Sequence, residues 1–136
     1  MYLNWFSGTA VHIGNGATGY GNLYAGAYYY ASDKSWKKDI VPLKNPLEKV
    51  LALQGVSFKW KNTGRSDIGF IAQDVEKVVP EIVATDKDGK KSLEYGNINA
   101  LTVEAIKEQQ KIIEAQKAHI DSLEKRLDAI EAKIGK

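Results

Sequence analysis

The chain has 136 residues, 26% charged and 43% hydrophobic, with 19 basic and 17 acidic side chains and a formal net charge of +2. That leaves room for one modest core, and no charge excess points to nucleic acid or an anionic membrane as partner. The absence of cysteine excludes disulfides and thiolate metal sites. His12 and His119 offer no metal-ligand spacing, and no apolar run approaches the roughly 20 residues that span a bilayer.

Residues 1–31 hold half of the 12 glycines, six of the seven tyrosines and no Lys, Arg, Asp or Glu. Segments at 8–13 and 22–30, punctuated by Gly-Asn-Gly and Gly-Tyr-Gly, read as short strands and turns. A piece of this size buries no core alone. It reads as the end of an intertwined trimeric β-stalk, with Tyr28, Tyr29 and Tyr30 stacking in its last turn rather than forming a sugar platform. The opening cluster of Tyr2, Trp5 and Phe6 resembles the middle of a longer protein, and no charged-then-apolar leader precedes it.

Residues 32–98 read as an α+β domain. Asn45-Pro46-Leu47-Glu48 predicts a helix over 46–53, with Asn45 as N-cap, Leu47, Val50 and Leu51 buried, and a stop at Gly55. Val56, Phe58 and Trp60 alternate on one face of a strand. Residues 61–64 form a turn and 68–72 a second strand. Residues 74–79 form a short helix ended by Pro80. Its Gln73, Asp74 and Glu76 read as a capped, solvated face and not as an acidic catalytic group. Strands at 82–85 and 91–95 flank Asp86-Lys87-Asp88-Gly89 as a hairpin, a loop with too few acidic ligands for calcium.

Residues 99–136 form one long helix, with Asn97 or Asn99 as its expected cap. Ile106, Ile113, Ile120, Leu127 and Ile134 recur every seven residues at position a. Thr102, Gln109, Gln116, Leu123 and Ile130 occupy d. This predicts a coiled coil of about four heptads, with Arg126 at g opposite Glu131 at e, and His119 at g beside Glu124 of a partner. Gln109 and Gln116 fit a dry dimer seam poorly. Buried amides around an axis are more easily satisfied among three chains, with room for water or an ion. A homotrimer is therefore expected.

Three blocks carry a family resemblance. The first is Ser32-Asp33-Lys34-Ser35-Trp36-Lys37-Lys38-Asp39-Ile40. The second is Gly69–Glu76 with Pro80-Glu81. The third is Tyr95 followed by Val103–Glu108. In order and spacing they resemble the self-cleaving C-terminal intramolecular chaperone domain of phage endosialidases, tail fibres and neck appendages. Trp36 departs from the usual aliphatic residue. No Gly-rich loop of P-loop type is present, so no nucleotide or other cofactor is expected.

The resemblance implies that Ser32 is a nucleophile, Lys37 its general base, and Ser32–Asp33 the scissile bond, though a cut at Ala31–Ser32 is chemically natural too. Attack by the Ser32 hydroxyl on its own preceding carbonyl passes through a five-membered ring. Attack on its own following carbonyl needs a strained four-membered one. A serine hydroxyl needs a base, and an unperturbed lysine is neutral in only about one part in a thousand at pH 7. Trp36 is expected to give apolar cover, and Lys34 and Lys38 like charge. Residues five apart on a strand point to opposite faces roughly 16 Å apart, and on a helix they lie about 140° apart. Either a turn at 33–35 folds Lys37 back, or Lys37 comes from a neighbouring chain.

The expected function is an intramolecular chaperone. It trimerises, templates the upstream fibre or spike β-stalk of the same polypeptide, and then cuts itself away. The precursor belongs in the host cytoplasm during phage assembly and the mature upstream part in the virion tail. The rivals are a permanent, non-proteolytic trimerisation tip and a receptor-binding fibre tip.

Overall fold

A computed structural model describes residues 14–15, 19–20 and 24–135. The chain forms two compact units, one of Met1–Ile40 with Trp60–Gly64, the other of Val41–Lys59 with Arg65–Lys136.

In the first unit, β1 (Gly14–Asn15) pairs antiparallel with β2 (Gly19–Tyr20), Gly14 opposite Tyr20. The glycine-rich punctuation expected to turn the chain thus forms the ladder. The strand expected at 8–13 lies outside the described residues. Of the strand expected at 22–30, residues 24–30 are exposed and not strand, with Tyr29 96% exposed. A strand needs a neighbouring strand for its backbone groups, and among the described residues no strand ladder includes this segment. A 3₁₀ turn follows at Lys34–Trp36, and the amide of Gly64 closes the turn at 61–64 by donating to the Trp60 carbonyl at 2.7 Å.

The second unit is α+β, built from two-stranded antiparallel sheets and a long helix. Helix α1 spans Pro46–Ala52. Asn45 is not its side-chain cap: it sits in the left-handed region (φ 50°), and its amide donates to Glu48 at 3.0 Å. The helix-start amide of Leu47 donates instead to the Glu108 carboxylate at 3.1 Å. Leu51 is 77% exposed, contrary to expectation. Val50 and Leu53 pack on the core in its place, because 3.6-residue periodicity carries Leu51 outward.

β3 (Val56–Lys59) pairs with β4 (Ser66–Gly69), Val56 opposite Gly69 and Lys59 opposite Ser66. Val56 and Phe58 are half-buried on one face, as the alternation predicts. The second strand ends before 70 because α2 (Ala72–Glu76) starts early. A 3₁₀ turn at Pro80–Ile82 leads into β5 (Val83–Thr85), which forms the expected hairpin with β6 (Lys91–Leu93). Asp86 accepts from the amides of Asp88 and Lys90 at 2.9 and 2.8 Å, and Gly89 takes a positive φ of 76°. The Glu94 amide donates to the Ile82 carbonyl at 2.9 Å, so the chain passes directly from ladder to helix.

Helix α3 runs Tyr95–Ile134, 40 residues and about 60 Å. It starts before both expected caps, with Glu94 at the N-cap and no side-chain cap. Val75, Val79, Ile82 and Leu101 form the buried core, flanked by Val50, Leu53, Phe70, Val78, Val83, Leu93 and Ile98. Ala105 is also buried. The helix therefore faces its own domain through Ile98, Leu101, Ala105 and Glu108. The a and d side chains from Ile106 onward lie about 90° away around the axis. All residues of α3 beyond Glu108 are exposed.

Candidate active site

The site is built by a local turn. Asp33 is extended (φ −61°, ψ 140°), and its Oδ1 accepts from the Ser35 amide at 2.7 Å and the Ser35 hydroxyl at 2.6 Å. This is an Asx-type turn, in which a short carboxylate satisfies the amide two residues on. The backbone completes it: Trp36 N–H donates to the Asp33 carbonyl at 3.3 Å, and Lys37 N–H to the Lys34 carbonyl at 3.1 Å. Two 3₁₀ bonds shorten the path between residues 32 and 37 that a strand would hold apart.

The consequence is a direct side-chain contact, Lys37 Nζ donating to Ser32 Oγ at 2.8 Å within one chain. Of the two routes left open by the spacing, the structure takes the turn at 33–35. A neutral amine at the same distance accepts the hydroxyl proton, which is the geometry a general base needs. The Ser35 hydroxyl and amide hold the Asp33 carboxyl below the usual carboxylate range, against slight desolvation, and the Lys37 charge adds to the effect. Asp33 is therefore an anion locking the turn.

The surroundings differ from expectation in one respect. Trp36 is 72% exposed and gives no apolar cover to the pair. Ser32, Lys34, Lys37 and Lys38 are exposed too. Among the described residues no group of three His, Asp or Glu is placed to hold a metal ion, and no helix is long and apolar enough to cross a membrane.

Residues 32–84 match the family model described as chaperone of endosialidase. Those residues belong to the chaperone-of-endosialidase family. The family is also a peptidase family by name, and its matched segment begins at Ser32, the hydroxyl that Lys37 contacts. The long tail fibre protein Gp37 of Salmonella phage S16 is 31% identical over 116 residues, covering 77% of this chain and 16% of that protein. Gp37 of Escherichia phage AR1 is 32% identical over 90 residues, covering 59% of this chain and 8% of that protein. The chain thus spans about a sixth of one relative and under a tenth of the other.

Three side chains within the motif blocks have roles that the motifs do not reveal. Ser35 supplies both donors to Asp33; the Asp-x-Ser spacing is a usable signal for it. The Tyr95 hydroxyl accepts from the Phe70 amide at 3.1 Å, with the two rings 6.1 Å apart. Glu108 takes the Leu47 amide across 61 positions of sequence, and local sequence carries no signal for such a contact.

Proposed function

We propose that this chain is the assembly chaperone of a phage tail fibre: it trimerises through α3, aligns the β-stalk that precedes Ser32, and frees the stalk by cutting its own backbone. The reading rests above all on the 2.8 Å contact between Lys37 Nζ and Ser32 Oγ, placed where the family match begins. The tail-fibre relatives support the fibre as client and a virion-associated product.

The chemistry proceeds in balanced steps. Lys37 takes the Ser32 hydroxyl proton while Oγ attacks the Ala31 carbonyl carbon through a five-membered ring. The Ala31–Ser32 C–N bond breaks, and its nitrogen receives the proton from Lys37. The resulting ester is hydrolysed by water, giving an Ala31 carboxylate and a Ser32 α-amine. The bond cut is therefore Ala31–Ser32. The alternative, Ser32–Asp33, requires a different nucleophile, since Oγ reaches its own following carbonyl only through a four-membered ring. The exposed pair ties activity to assembly: a neighbouring copy has to supply the water-excluding cover that Trp36 leaves open.

Mass spectrometry of the chain expressed with its upstream stalk tests this. A fragment beginning at Ser32 is expected. It disappears in Ser32→Ala and Lys37→Ala, and also in Lys37→Arg, whose guanidinium does not give up a proton. An intact wild-type chain overturns the proteolytic reading and leaves a permanent trimerisation tip.

A further inference from the structure

We propose that Gln116 of α3 forms an anion site which three copies of this chain complete on their common axis, and that its ligand is a small monovalent anion of the halide type. The site rests on the trimer reading above and goes beyond it by assigning a ligand to one layer of the coil.

Gln116 lies past Glu108, the last side chain of α3 that bonds to its own domain. Ile113 and Ile120, one turn to either side on the same stripe, are half-exposed in the single chain. Ile112, Ala115, Gln116, His119 and Ile120 line a shallow groove there, the kind of hole a neighbouring helix fills with a knob. Once three helices meet, Gln116 is enclosed between two isoleucine layers and cut off from bulk water.

Donor arithmetic then decides what it needs. Each amide brings one acceptor oxygen and two N–H donors. In a threefold ring each oxygen accepts one N–H from the next chain, which leaves three N–H groups to converge on the axis. A water oxygen accepts two hydrogen bonds and leaves one donor stranded. A spherical anion on the axis accepts all three.

Charge selects the sign. Lys117 follows at position e and makes no ion pair among the described residues. The g position it meets on a neighbour is Ile112, so no acid answers it there. The nearby acids, Glu114 and Asp121, sit at b on the outer face, and Glu114 already accepts from Gln110 at 2.9 Å. His119 at g is opposite Glu124 of the neighbour. The other amide layer is an internal control. Gln109 is flanked at g and e by Ala105, Ile112 and Gln110, with no cation, and lies beside the Glu108 carboxylate. It lacks the field that favours an anion.

The test uses the full chain in sodium bromide and in sodium acetate at matched ionic strength, acetate being too large for the axis. Sedimentation equilibrium should give a trimer whose dissociation constant is about tenfold lower in bromide at about ten times the anion's own Kd. Crystals grown in bromide should show an anomalous peak on the threefold at residue 116. Gln116→Leu should trimerise with no difference between the salts, whereas Gln109→Leu keeps the difference. A trimer with equal dissociation in both salts and no peak overturns the anion site alone. A monomer in both salts overturns the trimer on which it stands.

Discussion

At Asp33 one carboxylate oxygen holds two donors from Ser35, and the whole approach of Lys37 to Ser32 depends on that turn. Asp33→Ala should slow self-cleavage about 10- to 100-fold through lost positioning, with the sedimentation mass unchanged. Asp33→Asn keeps an oxygen for the Ser35 amide and should lose less. The pH dependence follows from the depressed Asp33 pKa. A group lowered on folding stabilises in full above its unfolded value, near 3.9, and loses that contribution as pH falls through the folded value. Asp33 should therefore impose no loss of turn or rate above about pH 5. A rate that falls with acid above that point, alike in wild type and Asp33→Asn, has a source other than Asp33. Stopped-time mass spectrometry across pH reads both. The Ser32–Lys37 contact was foreshadowed only as two residue types at a motif spacing. The sequence left open whether Lys37 reaches back or across, because the spacing fits no regular element and the answer lies in the Ser35 side chain.

Two long-range clasps hold the elements around the core, and each has a measurable cost of removal. A Cβ built on Gly69 would lie 2.6 Å from the Tyr95 hydroxyl, which itself accepts from Phe70. Gly69→Ala must displace that ring and should destabilise the domain by about 1–3 kcal/mol. Tyr95→Phe removes the oxygen in question, so Gly69→Ala should cost less in that background. Chemical denaturation of the four variants measures the coupling, and strict additivity would refute the clasp. Glu108→Ala should cost about 1 kcal/mol by stranding the Leu47 amide, and Glu108→Gln less, since an oxygen remains. The same contacts explain which elements the sequence announced. The β5–β6 hairpin was readable because Asp86 and Gly89 fix its turn locally. Helix α3 starting at Tyr95 and α1 capped by Glu108 were not, because Glu94 continues a strand ladder into the helix and Glu108 is 61 residues from Leu47.

The whole molecule carries two separable structures on one helix. The core of Val75, Val79, Ile82 and Leu101 is completed within one chain. The stripe of Ile113, Ile120, Leu123, Leu127 and Ile130 is half-exposed. Helices draw most of their stability from packing an amphipathic face, and in the proposed assembly other copies cover this stripe along the last 26 residues of α3. Replacing both Ile113 and Ile120 by Asp would set carboxylates on the axis with no cation to pair them, which such a seam does not tolerate. Sedimentation should then fall from three chains to one. The far-UV helical signal should drop by the share beyond Glu108, while the near-UV signal of the packed domain remains. On the proposed function self-cleavage should vanish as well, although Ser32 and Lys37 are untouched, because there a second copy supplies the cover for the exposed pair. Cleavage of that monomer at the wild-type rate would separate the protease from assembly and show that the turn at Asp33 suffices alone.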